Sequence, residues 1–300
     1  MVARVGSRAR KIERSESPQQ RKGYIFVSWP LATILALLVG PMVVLAYMSF
    51  REFGIQGVGG FAGFDNYRNV LSDAGYLRIL ASTTLIASSA MLIMLLIAIP
   101  LAYVLAFRVG RFEVPLLLLL VLADQLNPLI RIYAWRTLLG REGIINSLLE
   151  SIGLISQPID ALLYSRWAVI IVLTGTYMSF TTIPIYAAMK AIDHSLLEAA
   201  EDLGAHAPIK FGRILLPLAA PGIFVAFILV FIPLFSEFIT PVLVGGTNGF
   251  MVGNAIQEQI LAFGNWGVGS AMSFMLLILS LLLAAVAMRL TRLRQLETAA

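Results

Sequence analysis

The sequence predicts an all-α membrane protein with six transmembrane helices, and three observations predict it. Hydrophobic residues are 59% and charged residues 13% of the 300, where soluble domains carry about 25% charge, and mean hydropathy is +0.86. Six apolar runs each come near the ~20 residues needed to cross a bilayer. Between them, Lys and Arg crowd into alternate loops, the pattern that orients a multi-span chain.

The elements follow in chain order. Residues 1–22 hold Arg4, Arg8, Arg10, Lys11, Arg14, Arg21 and Lys22 against Glu13 and Glu16. This reads as a basic, polar cytoplasmic tail, with residues 23–300 forming one transmembrane domain. Charge alone would also suit a nucleic-acid arm, but a membrane span follows at once, so the tail is expected as a topology signal and no nucleic-acid partner is expected. That first run is too long for a signal peptide and ends in no small-residue cleavage site.

The runs are Ile25–Ser49, Ile79–Phe107, Val114–Trp135, Trp167–Met189, Ile214–Phe235 and Val268–Met288. The second carries no charge at all. The fifth holds Pro217, Pro221 and Pro233, residues that kink membrane helices where neighbours satisfy the freed carbonyls. With the N-terminus inside, fifteen of the 22 Lys and Arg fall in cytoplasmic segments. The expectation is N-in, C-in, with residues 190–213 in the cytoplasm. Of the outer loops, residues 137–166 place Ile144, Leu148, Leu149 and Ile152 at helical spacing, which predicts a short interfacial helix. Residues 237–267 include the glycine-rich GGTNGFMVGN. It lacks a following Lys-Ser/Thr and no strand precedes it, so it is not read as a phosphate loop.

The composition also bounds the chemistry. There is no cysteine, which removes disulfides, thiolate metal sites and cysteine nucleophiles. His194 and His206 are the only histidines, so neither a metal site nor a catalytic set within the membrane is expected.

Both histidines lie in a charged stretch wedged between the fourth and fifth runs. Ser195-x-x-Glu198 reads as a capping box opening a helix. Gly204 suits a C′ position with positive φ, and Pro208 suits the first turn of a second short helix. The stretch therefore reads as helix, sharp turn, helix. Taken alone it is either an ordinary amphipathic surface hairpin, with Glu198 only a cap, or a docking element.

The spacing supplies more. Glu198-Ala199-Ala200, three residues, Gly204, nine residues, then Ile214-x-Leu216-Pro217 resembles the cytoplasmic EAA loop of permease subunits of binding-protein-dependent ABC importers. RIYAWRTLLGREGIINSLL (Arg131–Leu149), the stretch Thr181–Ala205, FSEFITPVLVGG (Phe235–Gly246) and NWGVGSA (Asn265–Ala271) are together similar to the spermidine/putrescine-type branch of that family, which also takes other amines and small organic solutes. The resemblance covers nearly all of the chain after residue 24. It implies the type I importer permease fold and an inner-membrane location. It implies a partner ATPase dimer that alone holds ATP and Mg, a second related permease, and a binding protein outside. It makes Glu198, Ala199, Ala200, Asp202, Leu203, Gly204, Ile214 and Pro217 the ATPase-coupling set. This chain itself is expected to bind no cofactor and to catalyse nothing.

Polar groups within spans are costly and are candidates for a solute pathway. The third run is interrupted by Asp124, Gln125, Asn127, Pro128 and Arg131, and the fifth ends at Ser236-Glu237. Asp124 and Arg131 are either a structural ion pair or pathway groups. They lie about 10.5 Å apart on a continuous helix, so contact requires a break at Pro128. Glu237 is either a solvated helix end or a pathway acid. Arg131, Tyr133 and Trp135 suit a pathway or an anchor at the headgroup level. If Asp124 and Glu237 share a pathway, their field favours a small cationic amine. The alternatives are an importer of another small solute or ion and, more remotely, an ion-coupled secondary transporter. The latter predicts an internal inverted repeat, which the sequence does not display.

Overall fold

The computed structural model describes residues 18–54 and 57–297; the tail residues before Pro18 lie outside them. Two compact units divide between Tyr47 and Met48. In the described residues the first consists of helix α1 (Pro18–Ser49) as far as Tyr47. That helix begins ahead of the apolar run and takes in Pro18–Lys22, the end of the basic tail.

The second unit opens with a departure from an all-helical chain. Strands β1 (Arg51–Gly54) and β2 (Gly57–Phe61) pair antiparallel with Phe53 opposite Val58. Asn66, on helix α2 (Asp65–Ser72), closes this ribbon by donating to the carbonyls of Ser49 and Arg51, each at 2.9 Å. Asp73 then accepts the Gly75 and Tyr76 N–H groups and caps helix α3 (Ala74–Phe107). At 34 residues, α3 is about 51 Å long, well beyond a ~30 Å hydrocarbon core.

The third run is not one straight span. It forms α4 (Glu113–Asp124) and α5 (Pro128–Leu139), bent by 96° across the break between them. The cause is local. Pro128 has no N–H to continue a helix and holds Asn127 in extended geometry, ψ 129°. The Asn127 side chain instead accepts the Leu129 N–H at 2.9 Å and starts α5 afresh. The short helix expected in the next loop is α6 (Ile144–Ser151), with Ile144, Leu148 and Ile152 exposed. Its buried Asn146 donates to Gly140 O and accepts from Ile159 N–H.

Helix α7 (Arg166–Lys190) is the central element. In its apolar window 61% of residues are buried, against 33–39% in α3 and in the spans that follow. Its threonines 174, 181 and 182 turn their hydroxyls onto carbonyls four residues back, which satisfies polar groups in an apolar bundle. Helix α8 (His194–Asp202) follows, then α9 (Ala207–Ile209). The latter is not a separate short helix: it runs through a π-helical turn at Lys210–Leu215 straight into α10 (Leu216–Ser236).

Residues 237–267, read as one of the outer loops, are structured rather than irregular. A buried helix α11 (Val252–Gln257) lies between π-turns at Pro241–Gly245 and Glu258–Ala262. Its start is satisfied from inside: Val252 N–H donates to the Thr83 hydroxyl at 2.8 Å, and Met251 N–H donates to the Asn254 side-chain oxygen at 3.1 Å. Satisfying its polar backbone from within is what lets a short helix be buried in an apolar bundle. The chain closes with α12 (Trp266–Glu297).

Among the described residues, five helices are long and apolar enough to cross a membrane, and the bent α4–α5 pair makes a sixth if counted as one. One apolar cluster joins Met91 and Met94 of α3, Leu173 of α7, Phe231 and Phe235 of α10 and Met272 of α12. A second, toward the α8 hairpin, is built from small residues: Ala98, Ala102 and Ala106 of α3 with Ala219 and Ala226 of α10. Small side chains let membrane helices approach closely where lipid supplies no hydrophobic drive.

Candidate functional site

The hairpin between α7 and α10 is assembled from short-range signals. Its first helix starts one residue before Ser195, so the expected Ser195/Glu198 capping box is corrected. Asp193 is the cap, accepting the Ser195 N–H at 3.0 Å. That bond holds the Asp193 carboxyl below the usual carboxylate range. The earlier start is favoured because Ile192 before the cap and Leu197 in the first turn then join one apolar cluster, the staple that fixes how a chain enters a helix. Glu198 is left free on the exposed face.

The exit is a Schellman turn. Gly204 has φ +81°; its N–H bonds to Glu201 O at 2.8 Å, and Ala205 N–H bonds to Ala200 O at 2.9 Å. A Cβ on Gly204 would meet nothing within 4 Å, so the glycine answers a backbone requirement, not crowding. Leu203, at the tip, is 88% exposed, while Ala200 is 8% exposed against the bundle. Ala199 and Asp202 are exposed beside Glu198. Lys210 pairs with Glu201 across the turn. Ile214 sits half-buried in the π-turn and Pro217 in the first turn of α10. The eight expected coupling residues thus form one continuous element. Rings lock its base to α3: Phe107 meets His194 edge-on at 5.5 Å, and Tyr103 meets Phe211 at 5.6 Å.

A group the sequence did not single out lies next to it. Glu113, the first residue of α4, accepts from Lys190 Nζ at 2.8 Å and from the Tyr186 hydroxyl. Glu113 and Lys190 are 77 residues apart; only the packing of α4 on α7 brings them together. In the sequence Glu113 reads as one acid at a helix start, and nothing marks its partner.

Farther along the bundle, Asp124 and Arg131 form an ion pair at 3.0 Å, 13% and 15% exposed. The 96° bend makes it possible. The pair is incompletely satisfied: one guanidinium nitrogen meets one carboxylate oxygen, with a longer bond to Thr176 O, and Arg131 Nε is buried without a partner among the described residues. The next residue on α7, Tyr177, donates to Glu237 at 3.1 Å, and Thr240 donates to the same carboxylate. Asp124, Arg131 and Glu237 are therefore strung along the Thr176–Tyr177 step of α7. Trp135 packs its ring onto Gly175, where a Cβ would lie 2.4 Å from it. Tyr133 is on the same helix but half-exposed and apart from this strip.

A bundle of apolar spans holding a charged hairpin with a glycine-locked tip is the build of a membrane transport component. The chain belongs to the family of binding-protein-dependent transport system inner membrane components, whose model matches residues 56–295. It is 35% identical over 269 residues, 90% of this chain and 92% of the relative, to the spermidine/putrescine transport system permease protein PotB of Haemophilus influenzae. It is 36% identical to PotB of Escherichia coli over 76% of this chain and 82% of that one. Among solved structures it resembles a chain of a bacterial alginate ABC transporter in complex with its substrate-bound periplasmic protein, with a TM-score of 0.75, 18% identity, and 92% and 97% of the two chains covered. The fold is that of type I ABC importer permeases.

Proposed function

We propose that this chain is one of two related permease subunits of an ATP-driven importer of di- and polyamines. ATP and Mg bind a cytoplasmic ATPase dimer, a binding protein delivers cargo from outside, and the chain lies N-in, C-in. The observation that carries the coupling role is the hairpin tip: Leu203 and the Glu198 face stand free, held by a turn that only glycine adopts cheaply. ATP-driven closure of the ATPase pair moves this element, and α7 and α10, which flank it, carry the movement into the membrane. The amine assignment rests on the identity to the PotB proteins across most of both chains, with Asp124, Glu237, Arg131, Tyr133 and Trp135 as pathway residues.

One observation favours a second reading, an importer of another small organic solute. Asp124 is neutralised by Arg131, which leaves Glu237, hydrogen-bonded to hydroxyls, as the uncompensated acid of the strip. A single carboxylate attracts cations more weakly than two. The test is to purify the complex, weigh its subunits, and measure uptake of putrescine and spermidine in vesicles with binding protein and ATP. A second permease and an ATPase that co-purify, with amine uptake, support the first reading. The same complex moving only a neutral or anionic solute supports the second, and a chain that transports alone sinks both.

A further inference from the structure

We infer that α4 is a strut between the ATPase-coupling hairpin and the Asp124–Arg131 pair, and that Glu113 is the positioning residue through which hairpin movement enters it. This rests on the reading of the Glu198–Gly204 hairpin as the ATPase dock.

The two ends of α4 carry the argument. Its first residue, Glu113, is tied to Lys190 and Tyr186. Lys190 is the last residue of α7, and Asp193, three positions on, caps the hairpin helix. Lys190 is therefore one route by which a displacement of the hairpin reaches the bundle, beside the continuous path into α10. The last residue of α4, Asp124, is tied to Arg131 across the Asn127–Pro128 break. Twelve helical residues make a rod about 18 Å long between these ties. One further bond, the Ser179 hydroxyl to Leu120 O at 2.9 Å, guides its middle along α7.

The rest of the helix is not held by a core. No residue of α4 is buried, and Val114, Leu118, Leu119 and Leu122 are exposed. A helix anchored by interdigitated side chains resists sliding; one anchored at its two ends by charge shifts when an end is pulled. The far tie suits a movable part, because a singly bonded buried arginine with an orphaned Nε is not in its best geometry. The near tie is partly exposed, Glu113 at 20% and Lys190 at 44%, but Glu113 takes two donors, where a simple surface pair, which contributes little, has one.

The complete complex in vesicles tests this, with its binding protein carrying its own cargo. The readouts are assembled yield, basal ATP hydrolysis, stimulation of hydrolysis by binding protein, and uptake per ATP. Glu113→Gln removes the charge that holds Lys190. Stimulation and uptake per ATP should fall about tenfold, a typical coupling factor between linked sites, in complexes that still assemble and hydrolyse ATP. Tyr186→Phe, a gentle change, should shift both ratios the same way by less. Exchanging the charges (Glu113→Lys with Lys190→Glu) should recover much of the loss. Wild-type ratios in both Glu113→Gln and Tyr186→Phe would overturn the strut. So would lower yield with unchanged ratios in the assembled fraction, which is the mark of a purely structural tie. Gly204→Val separates the two levels. If it couples normally, the docking reading fails and the strut with it; if it uncouples while Glu113→Gln does not, only the strut fails.

Discussion

Replacing Gly204 isolates a backbone effect from a packing effect. The residue sits at φ +81° with open space where a Cβ would go. A substituent therefore meets no neighbour, and its whole cost is the conformation. Holding a non-glycine residue there costs about 1–3 kcal/mol, most for a β-branched side chain. That corresponds to roughly 5- to 150-fold in the population of the native turn. The bonds at risk are Gly204 N–H to Glu201 O and Ala205 N–H to Ala200 O, which set the exit angle of the hairpin. The α3–α7–α10 clusters do not involve Gly204, so insertion and assembly should survive. The assay is uptake per ATP in reconstituted complexes carrying Asn, Ala or Val at 204. The expected order is Gly, then Asn, then Ala, then Val, because asparagine tolerates the left-handed region better than alanine. If size governed instead, alanine would outperform asparagine; that order, or normal coupling by Gly204→Val, refutes the reasoning.

Four more outcomes are expected. Asp124→Asn leaves Arg131 buried without a counter-ion and should destabilise the fold by about 3–5 kcal/mol; adding Arg131→Gln should restore most of it, read from the thermal unfolding of the purified complex. Glu237→Gln removes the charge and leaves one acceptor oxygen, which can keep Thr240 while the Tyr177 hydroxyl turns to accept from the new amide; amine uptake should fall at unchanged assembly, and unaltered uptake would leave selectivity to the binding protein. Gly175→Ala puts a methyl carbon into the Trp135 ring and should cost about 1–3 kcal/mol by overpacking; pairing it with Trp135→Leu should relieve the loss. For topology, an impermeant reagent should label cysteines placed at Ser156 and Thr247 from outside and fail at His206, and outside labelling at 206 would invert the orientation.

The sequence by itself determined the class of fold and the hairpin, because both are written in short-range terms. Apolar run length meets bilayer thickness residue by residue, and the Glu198–Gly204 turn is specified by a glycine whose φ its own neighbours impose. Even there the spacing misplaces the cap by two residues: Ser195 reads as the cap, and the packing of Ile192 and Leu197 into one cluster sets it at Asp193. The polar strip was half legible. Asp124, Pro128, Arg131 and Glu237 stand out as costly residues within apolar runs, and Pro128 marks the break that their contact needs. That Asp124 closes on Arg131 while Glu237 turns to Tyr177 depends on how α7 passes both, which sequence spacing does not encode. Three features were decided by tertiary structure alone. The Glu113–Lys190–Tyr186 tie joins residues 73 and 77 positions apart, each ordinary at its own site. Helix α11 is buried within a segment that reads as a glycine-rich outer loop, because Thr83, far away on α3, receives its backbone N–H. The third run turns by 96°, an angle that proline permits but does not set; what α4 and α5 meet on α7, Ser179 on one side and Gly175 on the other, sets it. Local propensity and hydropathy act along the chain and so can be read from it; contact between distant segments depends on helix crossings, which only the packed bundle defines.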